Sequence, residues 1–192
     1  AGDFSPQELA NVVWALPQLS AKDQKLVQKL ALVARHTIDN FTPQGLGMLA
    51  QGFSSLGVYS EPLLSAISAA AQRRASECNV QDAAQILTAF AKFKLQDEKL
   101  VACLCEIASE ADWSAQPGES VTSFLWALGT LQRSSALASS APEAKALLKA
   151  LLARVEALAA SLRVRHVVLA LTGLAKVGPM ASEVGASKRL RR

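Results

Sequence analysis

Asn11, Met48, Gln85, Ser123 and His166 recur at one position of a pattern that returns along the whole chain. Four of the five carry side-chain hydrogen-bonding groups. A polar side chain placed once per helical unit, beside apolar neighbours that do not change in kind, is an arrangement by which a repeat protein meets one nucleobase per unit. A solvated helix face gives the same pattern, and Met48 does not suit base reading. Lys92 and Thr130 lie two turns further along the same stripe, where an ammonium and a hydroxyl could meet phosphate.

Charge points to a second place. Residues 78–115 carry six acids and three bases, whereas residues 159–192 carry one acid and seven bases, so the net charge of +4 is a property of the C-terminal end. Arg163, Arg165 and His166 open the last helix, and Lys188, Arg189, Arg191 and Arg192 end the sequence. Each phosphate neutralised by such residues releases counterions and adds affinity. A solubilising tail is the alternative. Arg35-His36 and Arg73-Arg74 close second helices and read as complements to the helix dipole. Trp14 and Trp126 share a column; packing between units is the reading taken for them, and stacking on bases the alternative. Trp113 falls in a loop.

Catalytic chemistry has little to stand on. The two histidines, His36 and His166, lie in different units, and no metal-ligand cluster, nucleophile elbow or phosphate-binding glycine loop is written in the sequence. No enzyme, no cofactor, no metal and no small-molecule substrate are expected. Cys78, Cys103 and Cys105 are odd in number and lack zinc spacing, and they read as buried thiols in a reducing compartment.

The elements that position these residues follow from apolar spacing. In Phe4–Leu19, Ser5 is an N-cap, Pro6 suits the first turn and Glu8 stands at capping-box distance. Leu9, Val12, Val13, Leu16 and Leu19 line one helical face, and Pro17 ends or kinks the helix. Phe41-Thr42-Pro43-Gln44 restates this opening 37 residues later, and Asn79 with Asp82 keeps its logic without the proline. The Ala15-Leu16 pair becomes Gly52-Phe53, Ala89-Phe90, Ala127-Leu128 and Ala170-Leu171; Leu19 becomes Leu56, Phe93, Leu131 and Leu174; Val12 becomes Leu49, Ile86, Phe124 and Val167. Units therefore start near 4, 41, 78, 116 and 159. Leu26 and Leu30 recur as Leu63 and Ile67, and as Leu100 and Leu104, on a second helix. Each unit is a helical hairpin too small for a core of its own, so stacked units bury a continuous one.

The expected fold is all-α, a right-handed α-solenoid of about five helix–turn–helix repeats with a period of 37–38 residues over residues 1–178, followed by a basic tail at 179–192. A Ser/Ala-rich insertion at 132–142 accounts for the longer last spacing. The small residue at Ala15, Gly52, Ala89, Ala127 and Ala170 marks where helices approach closely. Hydrophobic content of 51% supports a large core. No apolar run reaches the roughly 18 residues of a membrane span. The sequence opens on Ala1 and almost at once on a repeat, which suggests a processed precursor or a piece of a longer protein.

The phrase FSPQELANVVWAL, a following helix and the 37–38-residue period resemble the octotricopeptide and heptatricopeptide repeat proteins (OPR and HPR, often associated with a RAP domain), helical-repeat RNA-binding proteins of organelles. The resemblance implies an RNA-binding helical-repeat protein of the mitochondrion, or else of a chloroplast or other plastid. It further implies a structural role in an organellar ribonucleoprotein such as the mitochondrial ribosome. The partners would be rRNA or an organellar transcript and neighbouring proteins of a large assembly. An RNA processing or stability factor and a pure protein–protein scaffold are the alternatives. No RAP-like segment is visible.

Overall fold

The structure, a computed structural model, describes residues 4–19, 23–131 and 142–177. Among them the chain is helical throughout: α1 Pro6–Ala15, α2 Gln24–His36, α3 Pro43–Leu56, α4 Glu61–Arg73, α5 Val80–Phe93, α6 Glu98–Glu110, α7 Gly118–Leu131, α8 Pro142–Leu158 and α9 Val164–Val177. Single 3-10 turns at Ile38–Asn40 and Ala75–Glu77 lead into α3 and α5. Residues 132–141 of the insertion and the tail at 179–192 lie outside the described residues.

The caps form as the sequence predicts. Ser5 Oγ accepts from the Glu8 N–H, and the Glu8 carboxylate accepts from the Ser5 N–H at 2.8 Å. Thr42 Oγ1 accepts from the Gly45 N–H, and Asn79 and Asp82 make a second capping box in front of α5. Each such cap contributes about 1 kcal/mol. The ends of α3 and α5 also match. Gly57 and Lys94, one period apart, both take the left-handed conformation, with φ of 70° and 56°. The next N–H then reaches back to a helix carbonyl: Val58 to Phe53 and Leu95 to Phe90, both at 3.0 Å.

The first helices α1, α3, α5, α7 and α9 pack each on the next, and the second helices α2, α4, α6 and α8 do the same in another layer. The core lies between, built from Leu9, Leu46, Leu49, Phe53, Ile86, Phe90, Leu100, Leu104 and Phe124 among others. Neighbouring first helices meet in register and therefore run parallel: Val13 faces Gly52, Gly47 faces Asp82 and Gln85, and Leu125 and Trp126 face Gly173. At Gly52 a Cβ would stand 2.7 Å from the Val13 carbonyl oxygen, so only glycine permits this approach. Ala89, Ala127 and Ala170, at the same column, are buried as expected.

Several expectations are corrected. α1 stops at Ala15, ahead of Pro17, as the proline predicts, so the helix does not extend over the whole of residues 4–19. Leu19 consequently lies beyond the helix and is exposed. Leu26 is exposed although Leu63 and Leu100 are buried, because α2 has a neighbour in its layer on one side only. Val167 and Leu171 are exposed on α9 for the same reason. Trp113 is buried rather than idle in its loop: its indole N–H donates to the Ala108 carbonyl at 2.8 Å, and its ring meets Phe124 edge to face. The arginines that close α4 do more than complement a dipole. Arg73 pairs with Asp39, and Arg74 donates to the Phe41 carbonyl at 2.6 Å while pairing with Glu77. Arg154 of α8 repeats that clamp on the Gln116 carbonyl, at the position equivalent to Phe41.

Candidate nucleic-acid interface

One face of the parallel first helices stays open because the second helices cover only the other. Two adjoining hollows lie along it. The larger, about 610 Å³, is lined by Asn11 and Trp14 of α1, Gln44 and Met48 of α3, and Gln81 and Gln85 of α5. The other, about 280 Å³, shares Trp14 and Gln85 and extends over Gln51 and Thr88 to Glu119 and Ser123 of α7. The periodic column thus comes together over four units: Asn11 is exposed, and Met48, Gln85 and Ser123 are half-buried.

The chemistry of this face is amide-rich, with two carboxylates, Asp82 and Glu119, at its edges. Asn11 Oδ1 accepts from Gln7 Nε2 at 3.0 Å. Gln85 Oε1 and Thr88 Oγ1 are enclosed and have no hydrogen-bond partner. An orphan acceptor of this kind costs about 1–3 kcal/mol, which a donor reaching it would relieve. Gln85 has its place because residue 47 is glycine: a Cβ there would stand 2.6 Å from Gln85 Oε1. Trp14 is 44% exposed, so it does not pack between units; it offers a ring at the junction of the two hollows. Its column partner Trp126 is half-buried, with the Lys176 ammonium 5.1 Å from its ring centre.

Cations sit at the far edge of the face, not in it. Lys92 Nζ lies 3.4 Å from Ser55 Oγ, and desolvation by its surroundings pushes its pKa down. Lys176, which the column pattern did not single out, donates to Thr130 Oγ1 at 2.9 Å. The basic opening of α9 is largely committed within the chain. Arg163 is exposed, but Arg165 Nη2 pairs with Glu119 at 3.4 Å and Arg165 Nε donates to His166 Nε2 at 3.0 Å. His166 is buried, so it closes the column structurally instead of presenting a base-reading group. Lys188, Arg189, Arg191 and Arg192 lie outside the described residues.

Gln44, Gln51, Gln81 and Thr88 complete the face and were absent from the predicted set. Their signal was available: they stand one turn before, or three residues after, the column positions, on the same stripe of each helix. Among the described residues no group of His, Cys, Asp and Glu is gathered to hold a metal ion, and no helix is long and apolar enough to cross a membrane. The three thiols are half-buried and free; burial pushes Cys78 up to about 11 and Cys105 up to about 12. Raised in this way, the thiols favour the protonated form at neutral pH, which does not suit an activated nucleophile.

No curated protein matches the chain. Residues 1–124 match the family model described as RNA-editing substrate-binding complex 6 protein, a span that runs from α1 into the first half of α7 and includes every residue of both hollows. The match covers well over half of the sequence, and the chain belongs to the RNA-editing substrate-binding complex 6 protein family.

Proposed function

We propose that the chain is a non-enzymatic RNA-binding helical-repeat protein, an α-solenoid of about five hairpin units, that holds RNA as a structural component of an organellar, mitochondrial ribonucleoprotein. The face formed by α1, α3, α5 and α7 is its RNA contact. The observation that carries this reading is the hollow where Trp14 meets Asn11, Gln44, Gln81 and Gln85. An exposed indole offers stacking to any base, and amides offer both donors and acceptors to base edges. Single-stranded RNA, whose bases are splayed out, matches that chemistry; a duplex hides the same edges. The description of the family names RNA-editing substrates, which favours an assembly that carries such RNAs. A mitochondrial ribosome subunit of the OPR/HPR kind is the reading that the period and the pI of about 9.1 favour.

The test is binding of the 192-residue chain to single-stranded organellar RNA, with Trp14→Ala and Gln85→Ala variants and circular dichroism to verify the fold. Base stacking is worth about 1–3 kcal/mol, so Trp14→Ala is expected to weaken binding by roughly 5- to 150-fold. Unchanged affinity in both variants would remove RNA from this face and leave the protein-scaffold reading.

A further inference from the structure

Thr88 is an exception among the threonines of the first helices. Thr122, Thr130 and Thr172 donate their hydroxyls to the carbonyl four residues back, at 2.7 Å, 2.8 Å and 2.7 Å. Thr88 Oγ1 makes no such bond and has no partner, and neither has Gln85 Oε1 three residues earlier, on the same face of α5. Among the described residues the enclosed side-chain polar atoms without a partner are these two. Both belong to side chains that line the smaller hollow, together with Trp14, Gln51 and Ser123. Trp14, Gln51 and Thr88 hold one column, so a hydroxyl stands where α1 carries an indole. The carboxylates at the edges are engaged already, Asp82 by the Asn79 N–H and Glu119 by Arg165. At about 280 Å³ the hollow lies near the lower end of the sizes that hold small molecules, roughly 300 Å³, which suits one base and not several.

We infer that this hollow selects a base that carries an exocyclic amine, adenine in the first place, and rejects uracil. The inference rests on the RNA contact proposed above and names the base that it reads. Two unpaired oxygens on one helix face call for a donor with two hydrogens, and a base amine brings one for each. Adenine presents such an amine; uracil turns a carbonyl oxygen to the same place, and both protein oxygens stay unpaired against a third. Trp14 holds a base by its face, which every base has, so the indole supplies affinity and the α5 oxygens supply choice. A site whose polar groups are left unpaired by the wrong ligand discriminates far better than an apolar pocket does. The last torsion of a glutamine is broad, so Gln85 can turn its oxygen from Gly47 to a base at little cost.

Fluorescence anisotropy of the 192-residue chain with three short labelled strands tests this: oligoadenylate, oligouridylate, and a strand of purine riboside, which keeps the ring system of adenine and lacks its amine. Oligoadenylate is expected to bind about tenfold or more tighter than the purine riboside strand, with oligouridylate weaker still. Gln85→Met and Thr88→Val keep the bulk of each side chain and remove its oxygen. Each is expected to bring oligoadenylate down towards the purine riboside strand and to leave that strand unchanged, whereas Trp14→Ala weakens all three. Without RNA, the same two apolar variants are expected to keep or raise the melting temperature, because each removes an unpaired buried oxygen. Purine riboside or oligouridylate bound as tightly as oligoadenylate overturns the inference and leaves the RNA contact standing. So does a preference for adenine that survives both substitutions. Failure of all three strands to bind overturns the RNA contact itself, and the choice of base with it.

Discussion

The helices α5 and α9 share their columns and differ in almost everything those columns do. Phe90 and Leu171 stand at equivalent positions; one is 3% exposed and the other 52%. Leu87 and Val168 form another such pair. Local sequence gives both units an amphipathic first helix. What separates them is a neighbour: α5 has α3 on one side and α7 on the other, and α6 beneath, whereas α9 rests on α7. Burial in a stacked architecture belongs to the stack and not to the unit, so an identical residue pattern carries core energetics in one place and surface chemistry in another.

The largest expected break in this comparison is Phe90→Asp. An unpaired carboxylate in that core costs several kcal/mol and should unfold neighbouring units together, seen as loss of helical ellipticity at 25 °C. Leu171→Asp, the same exchange in the same column, should cost less than about 1 kcal/mol in a dilute sample. Equal effects would contradict the assigned neighbours. Gly52→Ala comes next. It drives a methyl onto the Val13 backbone and should cost about 1–3 kcal/mol, read by chemical denaturation, while the midpoint slope stays unchanged.

Smaller effects sharpen the same contrast at helix ends. Lys94 holds a left-handed conformation that Gly57 adopts freely, so Lys94→Gly should stabilise by about 1 kcal/mol and raise the melting temperature. The smallest effect concerns Asp82, whose carboxyl is raised above 3.8 by burial even though it caps Asn79. A raised folded-state value means that the native chain binds the proton more tightly. Its stabilising share is complete below 3.8 and is lost as pH rises through the folded value. Asp82→Asn should remove that acid-range slope from a pH series of melting curves.

Much of this was written locally. Ser5, Thr42 and Asn79 each announce a helix start, because a cap needs only the next three residues. The columns of Ala15 and Leu16 found the core and the glycine seam through spacing alone. Trp14 was misplaced because its column partner Trp126 suggested a shared environment. Trp126 has Lys176 of the following unit over its ring, and Trp14 faces open space between α1, α3 and α5. Trp113 escaped notice because a loop has no period, and its burial depends on Phe124 and on the buried Ala108 in the last turn of α6. The charge count led to Arg163, Arg165 and His166, but counting charges does not reveal that Glu119 already holds Arg165. The candidate face itself was half legible: Asn11, Gln85 and Ser123 came from the column, and the flanking glutamines stood on the same stripe, but only the helices placed side by side show that they join one hollow.

The arginine clamps carry one more consequence. Arg74 and Arg154 grip main-chain oxygens, those of Phe41 and Gln116, where the chain enters a first helix. A carbonyl is the same group whatever side chain hangs beside it. The grip is therefore indifferent to the side chain at the entry position, Phe41 in one place and Gln116 in another, so a hinge of the same kind hangs on a buried aromatic ring and on a half-buried amide alike.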